Sequence, residues 1–530
     1  MYKKILVRAH NWIGDGVMAT PTLSGLRRAF KDAEIVLLAK PAVAALLEAQ
    51  PDIDRIIPYE KPGKDAGALG LWRLSQRLKK EKFDLAFLIQ NALEAALIAF
   101  CAGIPERVGY AADGRSLLLT RSLKLKDAPL HCRERYRALL ALVSAEAEGR
   151  GPYLHVTSAE RAAARALLQV EGRSEGKPLV GLNPGAAYGS SKRWFPERFA
   201  AVADRLSVEY GSESLLFWGP GELDLAEAVQ KAMQQPALVL KRKTTVREMM
   251  ALIAQCDLFI SNDSGPMHIA SALGIPQVVV FGPTDPAAYY PDGLNDRMLH
   301  VPVDCYPCKH RTCPIDHRCM DRVSAEAVFE TAAALLQTGK EKRGAVFLDR
   351  DGTINADEGY IDAIDRFHFF PGAAAAIAKL NRRGIPVMLV TNQSGIARGF
   401  FDEAFLDRLH RYLQGLLARE GAYLDGIYYC PHHPDFSACD CRKPARGMID
   451  AAILDHGIDF SKSFVVGDKS LDIALAQDGA QGILVQTGEG GTSLRELETA
   501  GSLPAHVAKD LAGAVDWILD HYEGGQHGDQ

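Results

Sequence analysis

Short apolar runs rich in branched residues alternate along most of the chain with longer stretches of helical periodicity, the pattern of parallel sheets covered by helices on both faces. Up to about Val170 the apolar runs at residues 5–7, 35–38 and 85–89 read as strands of one Rossmann-like unit. After a polar stretch, Glu171 to Pro178, a second alternating set places strands at 179–182, 215–218, 258–261 and 278–281. An Ala-rich amphipathic helix at 325–337 is followed by a charged stretch without periodicity that suits a linker. Strands at 345–348, 387–390 and 464–466 then begin a third α/β domain. The expected division is 1–172, 173–338, a linker at 339–344, and 345–530.

Composition narrows this picture. A chain of 530 residues is too long for a single core. With 47% hydrophobic and 24% charged residues it has the make-up of a soluble globular protein, and no apolar run approaches the roughly 20 residues of a spanning helix. The start, Met1-Tyr-Lys-Lys-Ile-Leu-Val-Arg8, lacks the long apolar segment and cleavage site of a secretory signal, so a cytoplasmic location is expected. A net charge of −5, with Lys and Arg spread along the chain, gives no footprint for nucleic acid. Seven of the ten cysteines fall in two groups, Cys305, Cys308, Cys313, Cys319 and Cys430, Cys439, Cys441, and without a secretory signal such spacing favours metal over disulfides.

The densest chemistry begins at Asp349-Arg-Asp-Gly-Thr353, where an apolar strand ends in two carboxylates one residue apart. Both emerge at the carboxyl end of a parallel strand, where open α/β sheets bind ligands. A carboxylate that attacks phosphorus needs a cation against the anionic substrate. It also needs a second acid to protonate the leaving oxygen and then activate water. The remaining parts follow in order. Thr391, in Val-Thr-Asn-Gln-Ser394, offers a hydroxyl to a phosphoryl oxygen, with Asn392 beside it. Lys443, in Arg442-Lys-Pro, neutralises charge, and Asp468, in Val-Val-Gly-Asp-Lys469, can hold Mg²⁺. Each motif alone is an ordinary turn or strand end; the four together, in this order, resemble the haloacid dehalogenase (HAD) superfamily. That resemblance implies Asp349 as the nucleophile forming an aspartyl-phosphate and Asp351 as general acid/base. It also implies Mg²⁺ on Asp349, the Asp351 backbone and Asp468, with Asn392, Arg442 and Lys469 as substrate contacts.

Between these motifs lie Cys430-Pro-His432-His433 and Cys439-Asp-Cys441, the latter directly before Arg442 and Lys443. A Cys-x-His and Cys-x-Cys arrangement supplies four soft or borderline ligands, the number that closes a structural Zn²⁺ site. Such a loop inside this fold resembles the D-glycero-D-manno-heptose 1,7-bisphosphate phosphatases over about residues 344–491, and secondarily the histidinol-phosphate phosphatases. The resemblance selects His432 over the adjacent His433, giving Zn²⁺ on Cys430, His432, Cys439 and Cys441. The ion would order the loop that delivers Arg442 and Lys443.

The front of the chain carries weaker signals that converge. Asn11-Trp-Ile-Gly-Asp-Gly16 follows the first strand and precedes Thr20-Pro21, an N-cap candidate with Pro at the first helical position, so Asp15 is expected in a loop facing a helix start. A lone carboxylate there can take a proton from an acceptor hydroxyl. Farther on come Asn183-Pro-Gly-Ala186, Lys192-Arg-Trp194, Trp218-Gly-Pro-Gly-Glu222 and Ser261-Asn-Asp-Ser-Gly-Pro-Met-His268. Gly-rich turns and Ser264 at a helix N-terminus suit a diphosphate that Lys192 can neutralise, and Glu222 can accept from ribose or sugar hydroxyls. Trp194 reads first as a packed aromatic.

Together these motifs resemble the lipopolysaccharide heptosyltransferases of glycosyltransferase family 9 over about residues 4–336. The resemblance implies two Rossmann-like units in GT-B arrangement and an inverting transfer from ADP-heptose. Asp15 would be the base, Lys192 the diphosphate contact, and Asp263, Ser264, Gly265 and His268 the donor loop. It also implies a lipid-linked core oligosaccharide acceptor and peripheral contact with the inner membrane face. For the Cys305 to Cys319 group, Zn²⁺, reduced thiols and a redox pair all stay open. The expected fold is α/β throughout, the GT-B pair followed by a HAD-like Rossmannoid domain with a zinc loop. The rival readings are a histidinol-phosphate-type phosphatase joined to another sugar transferase, and a phosphatase carrying an inactive transferase-like scaffold.

Overall fold

A computed structural model of the chain describes residues 2–522 apart from 62, 126–130, 147–150, 292, 294, 339–341, 358, 421 and 478. Half of the expected linker therefore lies outside the described residues. The chain divides into two compact units, residues 1–340 and 341–530.

The first unit holds two parallel sheets of six strands. One is built from β1 (Lys4–Arg8), β2 (Glu34–Ala39), β3 (Arg55–Pro58), β4 (Leu85–Leu88), β5 (Glu106–Ala111) and β6 (Arg121–Lys124), in the order β3-β2-β1-β4-β5-β6. The other comprises β7 (Leu179–Asn183), β8 (Glu213–Leu216), β9 (Ala237–Val239), β10 (Leu258–Asn262), β11 (Gln277–Phe281) and β12 (Asp296–His300), in the order β12-β11-β10-β7-β8-β9. The second unit repeats the plan with β13 (Val346–Leu348), β14 (Val387–Asn392), β15 (Gly426–Cys430), β16 (Phe464–Gly467), β17 (Gln481–Val485) and β18 (His506–Ala508), ordered β15-β14-β13-β16-β17-β18. Central strands such as β4, β7 and β13 are buried along their whole length, which is why their sequences are continuous apolar runs.

In each sheet the strand order reverses between the first strand and the fourth. A crevice opens at such a reversal, outside the carboxyl ends of the strands. The segments after β1, after β7 and β10, and after β13 and β16 are therefore placed to bind ligands. They carry Asp15, then Lys192 and Asp263, then Asp349 and Asp468.

The two sheets of the first unit share one hydrophobic core, in which Ile5, Leu37 and Phe87 join Leu179, Met250, Phe259 and Ile269. Helix Ser158–Val170, capped by a Thr157–Glu160 box, packs toward helix Val246–Ile253. Glu160 accepts there from Arg247 Nε at 2.7 Å.

One expectation is corrected here. Asp15 lies not in a loop but in the short helix Ile13–Met18, which runs through Ala19 into helix Thr20–Ala29. Thr20 is inside that second helix, its hydroxyl donating to Val17 O at 2.8 Å, and Ala19 is the N-cap. Tertiary packing overrides the poor helix propensity of glycine: Gly16 sits against Val43 and Leu46, and Gly14 lies under the His268 ring, where a Cβ would come within 2.6 Å of Cδ2.

Candidate active sites

In the second unit, β13 is three buried residues long and Asp349 follows it, its amide bonded to Val466 O at 2.9 Å. Lys443 reaches the same point, its Nζ 2.6 Å from Asp349 Oδ1, 2.6 Å from Asp472 Oδ1 and 3.0 Å from Val390 O. One buried ammonium thus bridges two buried carboxylates.

Asp472 was absent from the residues expected from sequence. It stands in the first turn of helix Ser470–Ala476, four residues after Asp468, and that i, i+4 pair of acids at a strand-to-helix junction was the available signal. Carboxylate oxygens of Asp349, Asp468 and Asp472 all lie within 4.8 Å of one another. Three acids against one ammonium leave an excess of negative charge that suits a hard cation.

Two details strengthen the fit to Mg²⁺. Asp468 Oδ1 is buried with no hydrogen-bond partner among the described residues, while the Glu489 amide donates to Oδ2 at 2.8 Å. Without a cation, such an orphaned oxygen costs on the order of 1–3 kcal/mol. Gly352, at φ +87°, leaves the gap beside that carboxylate open, because a Cβ would collide with it. Burial pushes Asp349 up to about 7 even against the Lys443 ammonium, with Asp472 adding to the rise. Burial likewise lifts Asp468 to about 6. Gly352→Ala should therefore destabilise the unit by roughly 1–3 kcal/mol. It should also weaken Mg²⁺ binding, and thermal melts with and without the ion check both effects.

Asp351 turns its carboxylate away from this cluster. It accepts from Arg350 Nε at 3.0 Å and Nη2 at 2.8 Å, from Asn355 Nδ2 at 2.9 Å and from Gln393 Nε2 at 3.0 Å. Burial raises its pKa, but the Arg350 guanidinium and these bonds outweigh it and hold the group below the ordinary carboxylate range. Gln393 also donates to Thr391 Oγ1 at 2.9 Å, joining two expected residues through one that sequence reasoning passed over in Thr-Asn-Gln393. Asn392 is turned to the backbone of Lys443, accepting from its amide at 3.1 Å. Lys469 lies 2.9 Å from Asp357 and 3.4 Å from Glu489.

The cysteine–histidine group closes on itself. Cys430 Sγ is 3.7 Å from Cys439 Sγ and 3.7 Å from His432 Nδ1, which is 3.3 Å from Cys441 Sγ. A tetrahedral ion with Zn–S near ~2.3 Å needs sulfur separations of roughly 3.7–3.8 Å, so the donor set fits. His433 faces elsewhere, toward Arg398 at 2.6 Å. Arg442 donates to His432 O at 3.2 Å, so the arginine and Lys443 hang from this cluster.

In the first unit, helix Ile13–Met18 meets the N-terminus of helix Gly265–Ala272, where a Cβ on Gly265 would touch Ile13 and come 3.7 Å from the Gly14 amide. That contact brings Asp15 and His268 into one cleft. Asp15 Oδ2 lies 2.9 Å from His10 Nδ1, and Oδ1 accepts from the Tyr136 hydroxyl. Burial raises the Asp15 carboxyl, but His10, Tyr136 and His268 together hold it below the ordinary range. Burial pulls His268 down to about 4.

Lys192 is paired with Asp263 at 2.6 Å, so a diphosphate would share the ammonium with that acid. Glu222 accepts from the Ala186 amide at 2.9 Å and pairs with Arg193 at 3.0 Å. Ser264 caps its helix without a capping bond, its Oγ accepting from Asn183 at 3.1 Å. Trp194 is packed in the core, its indole donating to Val323 O at 3.0 Å.

Among the described residues Cys305, Cys308, Cys313 and Cys319 do not close into a ligand cluster. Their segment braces the Lys192 loop instead. Arg311 O accepts from the Ser191 amide at 3.0 Å, and His317 Nε2 lies 2.8 Å from Ser191 O.

Two classes of enzyme fold meet in this chain, a paired-sheet unit with a charged cleft between its sheets and a single-sheet unit with a lysine-bridged acid cluster. Residues 71–318 match glycosyltransferase family 9 (heptosyltransferase), and residues 440–514 match the HAD-hydrolase-like family. A lipooligosaccharide heptosyltransferase 2 of Campylobacter jejuni is 30% identical over 354 residues, spanning 63% of this chain and 98% of that protein. A D-glycero-beta-D-manno-heptose-1,7-bisphosphate 7-phosphatase of Photorhabdus laumondii is 46% identical over 183 residues, 33% of this chain and 96% of its own length. The solved ADP-heptose heptosyltransferase II of Escherichia coli superposes with a TM-score of 0.54 at 26% identity, covering 63% of this chain and 99% of that one. The chain belongs to the family 9 glycosyltransferases through its first unit and to the HAD-type heptose bisphosphate phosphatases through its second.

Proposed function

We propose that the chain is a bifunctional enzyme of lipopolysaccharide heptose metabolism. Its second unit hydrolyses the C7 phosphate of D-glycero-β-D-manno-heptose 1,7-bisphosphate, and its first transfers heptose from ADP-heptose to a lipid-linked core acceptor.

The observation that carries the phosphatase is Lys443 between Asp349 and Asp472, inside a cluster with Asp468. Asp349 attacks phosphorus to form an aspartyl-phosphate as the bond to the C7 oxygen breaks. Asp351 hands a proton to that leaving oxygen and later takes one from the water that frees phosphate. An approaching phosphate dianion raises the Asp351 carboxyl against the pull of Arg350, which readies it as an acid. Thr391 and Lys443 hold phosphoryl oxygens. Mg²⁺, held by Asp349, Asp468 and the Asp351 carbonyl, would supply charge neutralisation. Asp472 positions Lys443.

Zn²⁺ on Cys430, His432, Cys439 and Cys441 would fix the loop that presents Arg442 and Lys443. Stripping zinc and restoring Mg²⁺ should lower phosphate release several-fold while heptose transfer persists. Assay of metal-verified protein checks this, and unchanged release would remove the role.

For the transferase, the supporting observation is the meeting of Asp15 with His268 across the two sheets, beside the pairing of Lys192 with Asp263 at the carboxyl edge of the second. Asp15 takes the acceptor proton as its oxygen attacks the anomeric carbon, and the ADP diphosphate leaves toward Lys192 and the helix start at Ser264. No helix among the described residues is long and apolar enough to cross a membrane. A lipid-borne acceptor would be met by peripheral contact at the inner membrane face.

The two steps are not consecutive, because activation to a nucleotide sugar must intervene. One chain therefore matches the amounts of two enzymes instead of passing an intermediate between sites. The deciding experiment is Mg²⁺-dependent phosphate release from both anomers of heptose 1,7-bisphosphate beside histidinol phosphate. Preference for the β-heptose supports the reading, and preference for histidinol phosphate overturns it.

A further inference from the structure

The helices Gly67–Lys80 and Leu93–Cys101 lie side by side on one face of the first sheet, sharing a core that includes Leu74, Leu78, Ala96 and Ala99. The outer face of the second is apolar, and that of the first exposes large apolar side chains beside basic ones. Leu69 and Trp72 on the first are 69% and 60% exposed, and Leu97 and Phe100 on the second are 41% and 50% exposed. The turn that follows β5 adds Leu117, at 93%. Exposed apolar side chains are normal singly, but five on adjacent elements of one layer mark an interaction surface.

Charge decides what covers it. The helix Gly67–Lys80 carries no acidic residue and four basic ones. Of these, Arg77 pairs with Asp65, whereas exposed Arg73, Lys79 and Lys80 have no ion-pair partner among the described residues. Arg107 lies over the Phe100 ring at 5.4 Å, placing a further guanidinium at the rim. A second copy docked face to face would set these cations against one another. An anionic bilayer complements them, with Trp72 and the leucines reaching into the headgroup layer.

The position agrees with use. Leu69 and Leu93 stand in the first turns of helices that follow β3 and β4, at the carboxyl edge of the sheet where Asp15 follows β1. We propose that this face, centred on Trp72 and Leu97 with Arg73 and Lys80 at its border, docks the transferase unit on an anionic membrane surface so that the acceptor headgroup meets the Asp15 edge. Its purpose rests on the lipid-borne acceptor proposed above; its physics does not.

The test is sedimentation of the full chain with vesicles of phosphatidylglycerol and phosphatidylethanolamine, compared with phosphatidylcholine alone. Wild type should pellet with the anionic vesicles and be released by salt. Arg73→Glu with Lys80→Glu should weaken partitioning by about fivefold or more. Trp72→Ser with Leu97→Ser should weaken it by at least about tenfold. Phosphate release and transfer to a deacylated, water-soluble acceptor should be unchanged in both variants, which shows that they are folded. No binding by wild type, equal binding by the variants, or a wild-type dimer that the Trp72→Ser, Leu97→Ser pair dissociates would each overturn the proposal. Binding that follows the variants while no protein transfers heptose even to the soluble acceptor would support the surface and sink the transferase reading.

Discussion

Asp349→Asn should lower phosphate release by at least about 10⁴-fold while leaving heptose transfer unchanged. The substitution keeps the volume of the side chain and leaves an oxygen that can still accept from Lys443, now 2.6 Å from Asp349 Oδ1. It removes the charge that the proposed nucleophile needs and one of the three clustered acids that could hold a cation. Asp349 is buried against Lys443 and Asp472, so the variant relieves repulsion between neighbouring carboxylates and should fold at least as well as wild type. Loss of activity therefore reads as lost chemistry. Because the second unit is a compact body of its own, transfer by the first should persist. Phosphate release measured beside heptose transfer on one preparation checks both parts. Loss of both activities together would mean that the units depend on each other, and retained release would remove Asp349 as the nucleophile.

The legibility of each part of the chain follows from what its residues are asked to do. Central strands were readable because burial on both faces forces a continuous apolar run, as in Val278 to Phe281 of β11. Edge strands were not. β3 reads Arg-Ile-Ile-Pro and β6 reads Arg-Ser-Leu-Lys, with ends in solvent and no periodic signal of their own. The acids of the second unit were readable because a strand must deliver them in fixed order, whereas Asp472 enters from the following helix and looks like a surface residue until the fold turns it onto Lys443.

In the first unit the motif around Asp15 reads as a loop, whereas the fold makes it a short helix. Two glycines argue against a helix on propensity alone, yet each is needed for close packing, Gly14 beneath His268 and Gly16 against Val43 and Leu46. His10 and Tyr136, which hold the Asp15 carboxylate, come from the end of β1 and from helix Cys132–Ala138. No spacing in the sequence links the latter to Asp15, because the contact is made 121 residues away.

That environment sets the second large effect. Asp15→Asn should reduce transfer by about 10²–10⁴-fold, the contribution of a positioned general base, while the KM for ADP-heptose changes little. The amide can still accept from Tyr136, so the helix Ile13–Met18 keeps its place, but it cannot take a proton. A carboxyl held below its ordinary range stabilises the folded state above its unfolded pKa, and that contribution is lost as pH falls through the folded value. The variant should therefore be modestly less stable than wild type at neutral pH and converge with it in acid. Wild-type transfer should keep its base ionised to lower pH than an ordinary carboxylate allows, so the acid limb of its rate profile should lie below that range and vanish in Asp15→Asn. Rates and melting curves between pH 3 and 8, taken with phosphate release as the internal control, check both the acid limb and the stability difference. A variant that transfers at the wild-type rate would take the proton away from Asp15 and give it to His10, whose ring is the nearest other base.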